Sequence, residues 1–267
     1  MAEKKRLDLL LVEAGLMETR AKARAAIMAG QVSVNGVKVD KAGFITPVDA
    51  AIEIKDENPF VSRGGQKLAK ALTLFDIDLR DRIVLDVGAS TGGFTDCCLQ
   101  AGARLVYAVD VGYGQLAWSL RTNPAVVNLE RTNIRYLERE KLDRGLPDFA
   151  CIDVAFISLR LVLPVVAQLL APPAELVMLV KPQFEAGREQ VGKRGVVREE
   201  RVHVQVLEDV LAKAEELEFS LWNLDFSPIQ GPQGNIEYLA HGYFGRRTEK
   251  QPPAPREVVA AAHRHFA

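Results

Sequence analysis

A lysine closes the apolar run Val177-Met178-Leu179-Val180-Lys181, and an aspartate closes the run Phe149-Ala150-Cys151-Ile152-Asp153. If both runs are strands of an open α/β sheet, both side chains stand at carboxyl ends, where such sheets bind their ligands. An acid and an amine in one crevice can hold or move a proton, whereas a single lysine at a strand rim is ordinarily a snorkelling side chain. Upstream, DVGASTGGFTD, Asp86 to Asp96, follows a predicted strand and opens a predicted helix. Gly88, Gly92 and Gly93 let the backbone turn sharply and come close to a ligand around Ser90 and Thr91, and the helix start offers free amides to a carboxylate or phosphate. Asp110 ends the next strand, where a carboxylate can accept from both ribose hydroxyls of an adenosine. Ser90 replaces the second glycine of the dinucleotide fingerprint, the one that lets a pyrophosphate approach, so the loop departs from that fingerprint.

These residues need a particular scaffold. From Ile83 onward, strands are expected at 83–87, 105–110, 126–129, 149–153 and 176–181, alternating with helical stretches, which predicts a mainly parallel, doubly wound sheet. A charged helix over 199–218 precedes two more strands, 219–226 and 236–244, separated by the turn-rich SPIQGPQGN. Ahead of the sheet, Leu7, Leu10, Leu11 and Ala14 predict a helix over 5–14 stopped at Gly15, and Thr19 caps a second helix that ends at Gly30. Val32, Val34, Asn35-Gly36, Val37 and Val39 then read as a hairpin with a type I′ turn. The expected division is a small α+β domain over 1–58, a linker over 59–63, the α/β domain over 64–245 and a proline-rich appendage over 246–267 with a short terminal helix.

The loop from Asp86 to Asp96 resembles the first motif of class I methyltransferases. That resemblance implies S-adenosyl-L-methionine as cofactor, with Asp86, Gly88, Ser90, Thr91, Gly92 and Gly93 around its methionine part, Asp110 on its ribose, Asn133 beside its adenine and Asp153 near its methyl group. Lys67, Asp153, Lys181 and Glu237 fall at the four places of the Lys-Asp-Lys-Glu tetrad of the FtsJ-like 2′-O-ribose methyltransferases. Through SRGGQKL, DVGASTGGFTD, KPQFEAGRE, VGKRGVVR and SPIQGPQGNIEY, the whole chain resembles the TlyA family, historically labelled hemolysins and known as ribosomal RNA 2′-O-methyltransferases. The implied acceptor is a cytidine ribose in ribosomal RNA or ribosomal subunits. A ribose hydroxyl is a weak nucleophile, so Lys181 is the expected group to take its proton or steer the developing alkoxide, with Lys67 beside it. The linker departs from the family pattern: Asn58-Pro59-Phe60 stands where a basic residue followed by a large aromatic is expected.

The helix, helix, hairpin pattern over 5–55 resembles the RNA-binding S-four domain, which implies RNA contacts at Arg20, Arg24 and Lys38. Arg20 and Arg24, four residues apart, share a helix face and are otherwise simply solvated. The formal net charge of −1 offers no global basic signature, so local clusters must supply it. Arg63 in the entrance segment and Arg188, Lys193, Arg194 and Arg198 in a glycine-containing loop are the candidates for phosphate, and that loop is expected to be mobile until RNA orders it.

Hydrophobic residues at 48% and charged ones at 26% fit a globular protein rather than a disordered chain. Cys97, Cys98 and Cys151 form neither an even set nor a Cys-x-x-Cys spacing, so neither disulfides nor a metal centre are expected, and a reducing cytoplasm fits. The N-terminus lacks a signal-peptide pattern, the apolar stretch 161–180 is broken by prolines and Glu175, and nothing demands more than a monomer. Two rivals come from other classes: a membrane-active hemolysin-like protein, which needs a spanning or interfacial helix, and an RNA-binding protein without methyl transfer. Among enzymes, Lys181-Pro182-Gln183-Phe184 lacks the Asn/Asp-Pro-Pro-aromatic run of amino-methylating enzymes, and no cysteine follows a proline as in carbon-5 cytosine enzymes.

Overall fold

The structure is a computed structural model that describes residues 3–17, 19–28, 30–54, 58–192, 194–246, 252 and 254–267. It separates into two compact units, Met1–Pro59 and Phe60–Ala267.

The first unit runs β1 (Lys4–Arg6), α1 (Leu7–Glu13), α2 (Arg20–Met28), β2 (Val32–Val34), β3 (Val37–Val39), β4 (Ile45–Pro47) and β5 (Ile52–Ile54). Asn35 and Gly36 both have positive φ, 50° and 76°, as a type I′ turn demands, and they set the register Val32 to Val39. Strand β5 covers the other edge of β2, while β1 pairs antiparallel with β4. The helix expected over 5–14 is therefore shorter: Lys4–Arg6 is drawn into a strand by Ile45–Pro47, a partner that local periodicity does not reveal. Leu7, Leu11, Ala23, Ile27, Val32 and Val34 form the core of this unit.

In the second unit, α3 (Gly64–Leu74) leads into β6 (Ile83–Val87), α4 (Gly93–Gln100), β7 (Leu105–Val109), α5 (Trp118–Arg121), β8 (Val126–Leu129), β9 (Phe149–Ile152), α6 (Leu159–Leu169) and β10 (Ala174–Val180). Then follow α7 (Pro182–Glu185), α8 (Glu200–Glu216), β11 (Phe219–Phe226), β12 (Tyr238–Phe244) and α9 (Pro255–His265). The seven strands stand in the order β11-β12-β10-β9-β6-β7-β8, and β12 runs antiparallel to both of its neighbours. Strands β6, β7, β9 and β10 are buried along their whole length because helices cover both faces of the sheet. Ile83, Leu85 and Val87 face the cluster under α6, α8 and α9, while Val84 faces the one under α3 and α4. The mainly parallel, doubly wound sheet is thus the architecture anticipated from the alternation, and its antiparallel last strand is what the resemblance to class I methyltransferases implies.

Two boundaries differ from the expected ones. Residues 60–63 are fastened to the second unit: Val61 N–H donates to Asp96 Oδ2 at 2.8 Å, and Phe60 lies against Gly65. The expected appendage contains α9, which buries Val258, Val259 and Ala262 in the core beside α8 and β11. Among the described residues, no helix is long and apolar enough to cross a membrane, and no group of three or more His, Cys, Asp or Glu side chains could hold a metal ion.

Candidate active site

Asp153 follows β9 and Lys181 follows β10, so both stand at carboxyl ends of adjacent parallel strands. Glu237 reaches the same place from the opposite direction: β12 is antiparallel to β10 with Tyr238 opposite Val180, so the residue before β12 lies beside the residue after β10. Lys67 comes from the first turn of α3. The four charges alternate in a chain. Lys67 Nζ donates to Glu237 Oε2 at 2.6 Å and lies 3.9 Å from Asp153 Oδ2, and Lys181 Nζ lies 2.5 Å from Asp153 Oδ1. Glu237 is the most deeply buried of the four side chains, with 2% of its surface exposed, whereas Lys181, at the other end, has a single carboxylate for a partner. Glu237, at its own end, likewise has a single cation for a partner, so the chain is closed at neither end.

Two cavities meet at Asp153. The smaller, of about 400 Å³, is lined by Lys67, Asp153, Lys181 and Glu237 together with Arg63, Ser90, Thr91 and Gly93. The larger, of about 730 Å³, runs from Gly88 and Asp153 past Asp110, Gln115 and Asn133 to Phe156 and Phe184. Gly88, Ser90, Asp153 and Ala155 line both. Gly88 is required at its position: φ is +89°, and a Cβ there would lie 2.5 Å from the Asp153 carbonyl oxygen. Asp110 accepts from Ser90 N–H at 2.8 Å and Gly112 N–H at 2.7 Å, which fixes the carboxylate at the rim of the larger cavity. Asn133 also lines that cavity and caps the short 3-10 turn Ile134–Tyr136 through Arg135 N–H.

Two expected cofactor residues sit elsewhere. Asp86 is fully buried on the α4 side of β6, where Thr95 Oγ1–H donates to it at 2.6 Å, and it lines neither cavity. Gly92 also lines neither; its left-handed backbone, φ 99°, lies against Leu116 and Leu120. Other lining residues escaped the sequence reading. Phe156, 91% exposed with φ +63°, stands 5.0 Å from the Phe184 ring, and both border the larger cavity. Their common signal is position, since Phe156 and Phe184 each lie three residues beyond a strand-end charge. Glu185 joins the two segments by accepting from Ser158 Oγ–H and Leu159 N–H, and burial raises its pKa.

The expected RNA contacts are dispersed. Arg24 and Lys38 are exposed on the first unit, and the Lys38 stem lies over Gly30. Arg20 donates through Nε to the buried Asp8, which also accepts two bonds from Arg6, so Arg20 is partly committed to holding its own domain together. Arg63, Arg188, Arg194 and Arg198 are exposed on the second unit, and Lys193 lies outside the described residues. The loop expected to be mobile is anchored in its second half: Gly192 N–H donates to Val196 O, and Val196 and Val197 are buried. Two apolar residues inside a basic, glycine-containing stretch pull it onto the core.

The model of the FtsJ-like methyltransferase family matches residues 60–244, and that of the S4 domain matches residues 5–50. The Bacillus subtilis protein YqxC, provisionally named an rRNA methyltransferase, is 50% identical over 98% of this chain and 95% of its own. Mycobacterium tuberculosis TlyA, named a 16S/23S rRNA (cytidine-2'-O)-methyltransferase, is 45% identical over 90% of each chain. A solved structure from Streptococcus thermophilus with the provisional name of a hemolysin superposes with a TM-score of 0.77 at 49% identity, covering 100% of this chain and 98% of that one.

Proposed function

The chain belongs to the FtsJ-like methyltransferase family, and from that premise we propose that it transfers a methyl group from S-adenosyl-L-methionine to a ribose 2′-hydroxyl, that of a cytidine, in ribosomal RNA. The observation that carries this reading is the alternating chain Glu237, Lys67, Asp153, Lys181 at the junction of two cavities. The larger cavity has the size of a small-molecule site and a donor set that fits the cofactor. Its Asp110 carboxylate suits two ribose hydroxyls, its Gly88 backbone leaves room for close approach, and Asn133 suits the adenine end. When bound, the cofactor supplies an electrophilic sulfonium methyl. The smaller cavity takes the acceptor ribose. There, Glu237 holds Lys67, Lys67 pairs with Asp153, and Asp153 holds Lys181. Lys181 Nζ, paired with Asp153, would stabilise the negative charge that builds on the 2′-oxygen as its proton passes to solvent, the O–CH3 bond forms and the bond from that methyl to sulfur breaks.

The S4 domain and the exposed Arg63, Arg188, Arg194 and Arg198, together with Lys193 in sequence, supply the phosphate contacts that position such an acceptor. An enzyme acting on ribosomal RNA works where ribosomes are, in the cytoplasm. Transfer of labelled methyl to ribosomal subunits from a strain lacking this gene tests the reading. Wild-type protein is expected to deposit label in an alkali-resistant 2′-O-methylated dinucleotide, and Lys181→Ala to lose ~100-fold or more in kcat while still binding cofactor. Cofactor binding by the wild type with no label in any ribosomal particle would sink the ribosomal assignment.

A further inference from the structure

Asn235 is buried, with 1% of its surface exposed, and its side chain reaches main-chain groups forty residues away in sequence. Val197 N–H donates to Asn235 Oδ1 at 3.1 Å, and Asn235 Nδ2–H donates to Gly195 O at 2.8 Å. Its own carbonyl accepts from Gly231 N–H at 2.9 Å. That turn packs directly on Glu237, since a Cβ at Gly231 would lie 2.7 Å from Glu237 Oε1. A second tie lies on the other side of Glu237. His203 bridges Val197 O at 3.0 Å through Nε2 and the hydroxyl of Tyr238 at 2.7 Å through Nδ1. A carbonyl only accepts, so Nε2 carries the hydrogen, Nδ1 is the acceptor and Tyr238 O–H donates. Burial lowers the His203 pKa, which favours the neutral ring this arrangement uses.

Glu237 is thus flanked by Asn235 and Tyr238, and both are tied to residues 195–197. That short stretch lies between the exposed Arg194 and Arg198. We propose that Asn235, backed by His203, is a positioning residue that locks the Arg194–Arg198 segment to the strand entrance presenting Glu237, so that cations gripping RNA phosphate and the charge chain ending at Lys181 keep one fixed separation. The proposal rests on the methyl-transfer reading above. Asn235 touches no reacting atom and acts through Val197 and Gly195 on one side and the Gly231 turn on the other. The chemistry gains because in-line transfer requires the ribose held by its phosphates to meet Lys181 within a fraction of an ångström.

The test uses the full-length protein and ribosomal subunits as acceptor, with cofactor Kd, acceptor KM and kcat measured separately. Asn235→Ala is expected to keep cofactor Kd within about twofold while kcat falls about tenfold or more, because positioning rather than cofactor binding is lost. The Arg194→Ala/Arg198→Ala pair raises acceptor KM in the wild-type background. In the Asn235→Ala background the same pair is expected to add much less, since the segment is already uncoupled. A residue that only stabilises the fold would leave the arginine effect multiplicative. An unchanged kcat in Asn235→Ala, or an arginine effect of the same size in both backgrounds, overturns the proposal. If Asn235→Ala loses cofactor binding along with kcat, His203→Phe, whose ring fills the same space but can neither donate to Val197 O nor accept from Tyr238 O–H, decides. A fall in kcat at constant cofactor Kd supports the lock, and full activity removes it. Wild-type protein that transfers no methyl would instead defeat the functional reading beneath it.

Discussion

Asp86 carries a burial cost that Thr95 offsets only in part. It sits in β6, where Thr95 Oγ1–H donates to its Oδ2, and its Oδ1 has no hydrogen-bond partner among the described residues. Burial pushes its carboxyl up to about 7, above an ordinary value of 3.8. The folded chain keeps this proton where the unfolded chain has released it, so stability falls as pH rises from about 4 to about 7 and is level above that. The difference sets a ceiling of about 4 kcal/mol on the effect. Asp86→Asn keeps an acceptor for Thr95 and cannot ionise, so it is expected to raise stability at pH 8 by some part of that ceiling and to do nothing at pH 4. Denaturant unfolding at the two pH values checks this; an equal gain at both would assign the effect to packing instead. Asp110 and Gly88 were legible in the sequence because a strand-end acid and a glycine after a strand each have one physical use there. Asp86 was not, because Ile83-Val84-Leu85-Asp86-Val87 is buried on both sides and its pattern does not say which face an embedded acid takes.

Elements show the same contrast between local and long-range determinants. The Asn35-Gly36 hairpin and α2 declare themselves within a few residues, whereas β4 and β5 are three residues long and exist because β1 and β2 offer them edges. Helix α9 was underread for a related reason: its apolar face becomes visible only once α8 and β11 are known to be open to it. The charged tetrad was legible chiefly through its family spacing, since nothing local tells Lys67 apart from Lys70 one turn later. At the start of α1, Asp8 is fully buried and is held by bonds from Arg6, at 2.9 and 3.0 Å, and from Arg20, at 3.0 Å, which ties α1 to α2. The Arg6 bonds and then Arg20 hold its carboxyl down at about 2, so this stabilisation is present above the ordinary carboxylate range and is lost as pH falls toward 2. Asp8→Ala leaves both arginines in contact with solvent, so the expected cost is modest, about 1–2 kcal/mol, and confined to the first unit. Hydrogen exchange on the intact chain at neutral pH reads it as faster exchange in α1 and α2 with β6 to β10 unchanged. Faster exchange throughout would mean that the two units unfold as one.

At the scale of the whole molecule, a net charge of −1 must coexist with binding to a polyanion, and the distribution of the cations resolves this. Arg24 and Lys38 are exposed on the first unit, and Arg63, Arg188, Arg194 and Arg198 on the second, while Arg82 and Arg121 are spent on Glu175 and Glu130. On the function proposed above, both units bind one RNA particle, the second contact being made at the high effective concentration that the covalent link provides. A chain of residues 60–267 retains both cavities and all four tetrad residues. It is expected to bind S-adenosyl-L-methionine within about twofold of the intact protein, yet to raise the acceptor KM on ribosomal subunits by about tenfold or more, since a linked second site multiplies affinity by at least that factor. Salt separates this cause from a damaged active site. The intact protein's acceptor KM should climb more steeply with salt than the shortened chain's, because fewer phosphates are neutralised when the first unit is gone. An unchanged KM and an unchanged salt slope would mean that the first unit does not deliver RNA to this site, and the cations at 63 and 188–198 would then have to account for all of the acceptor binding.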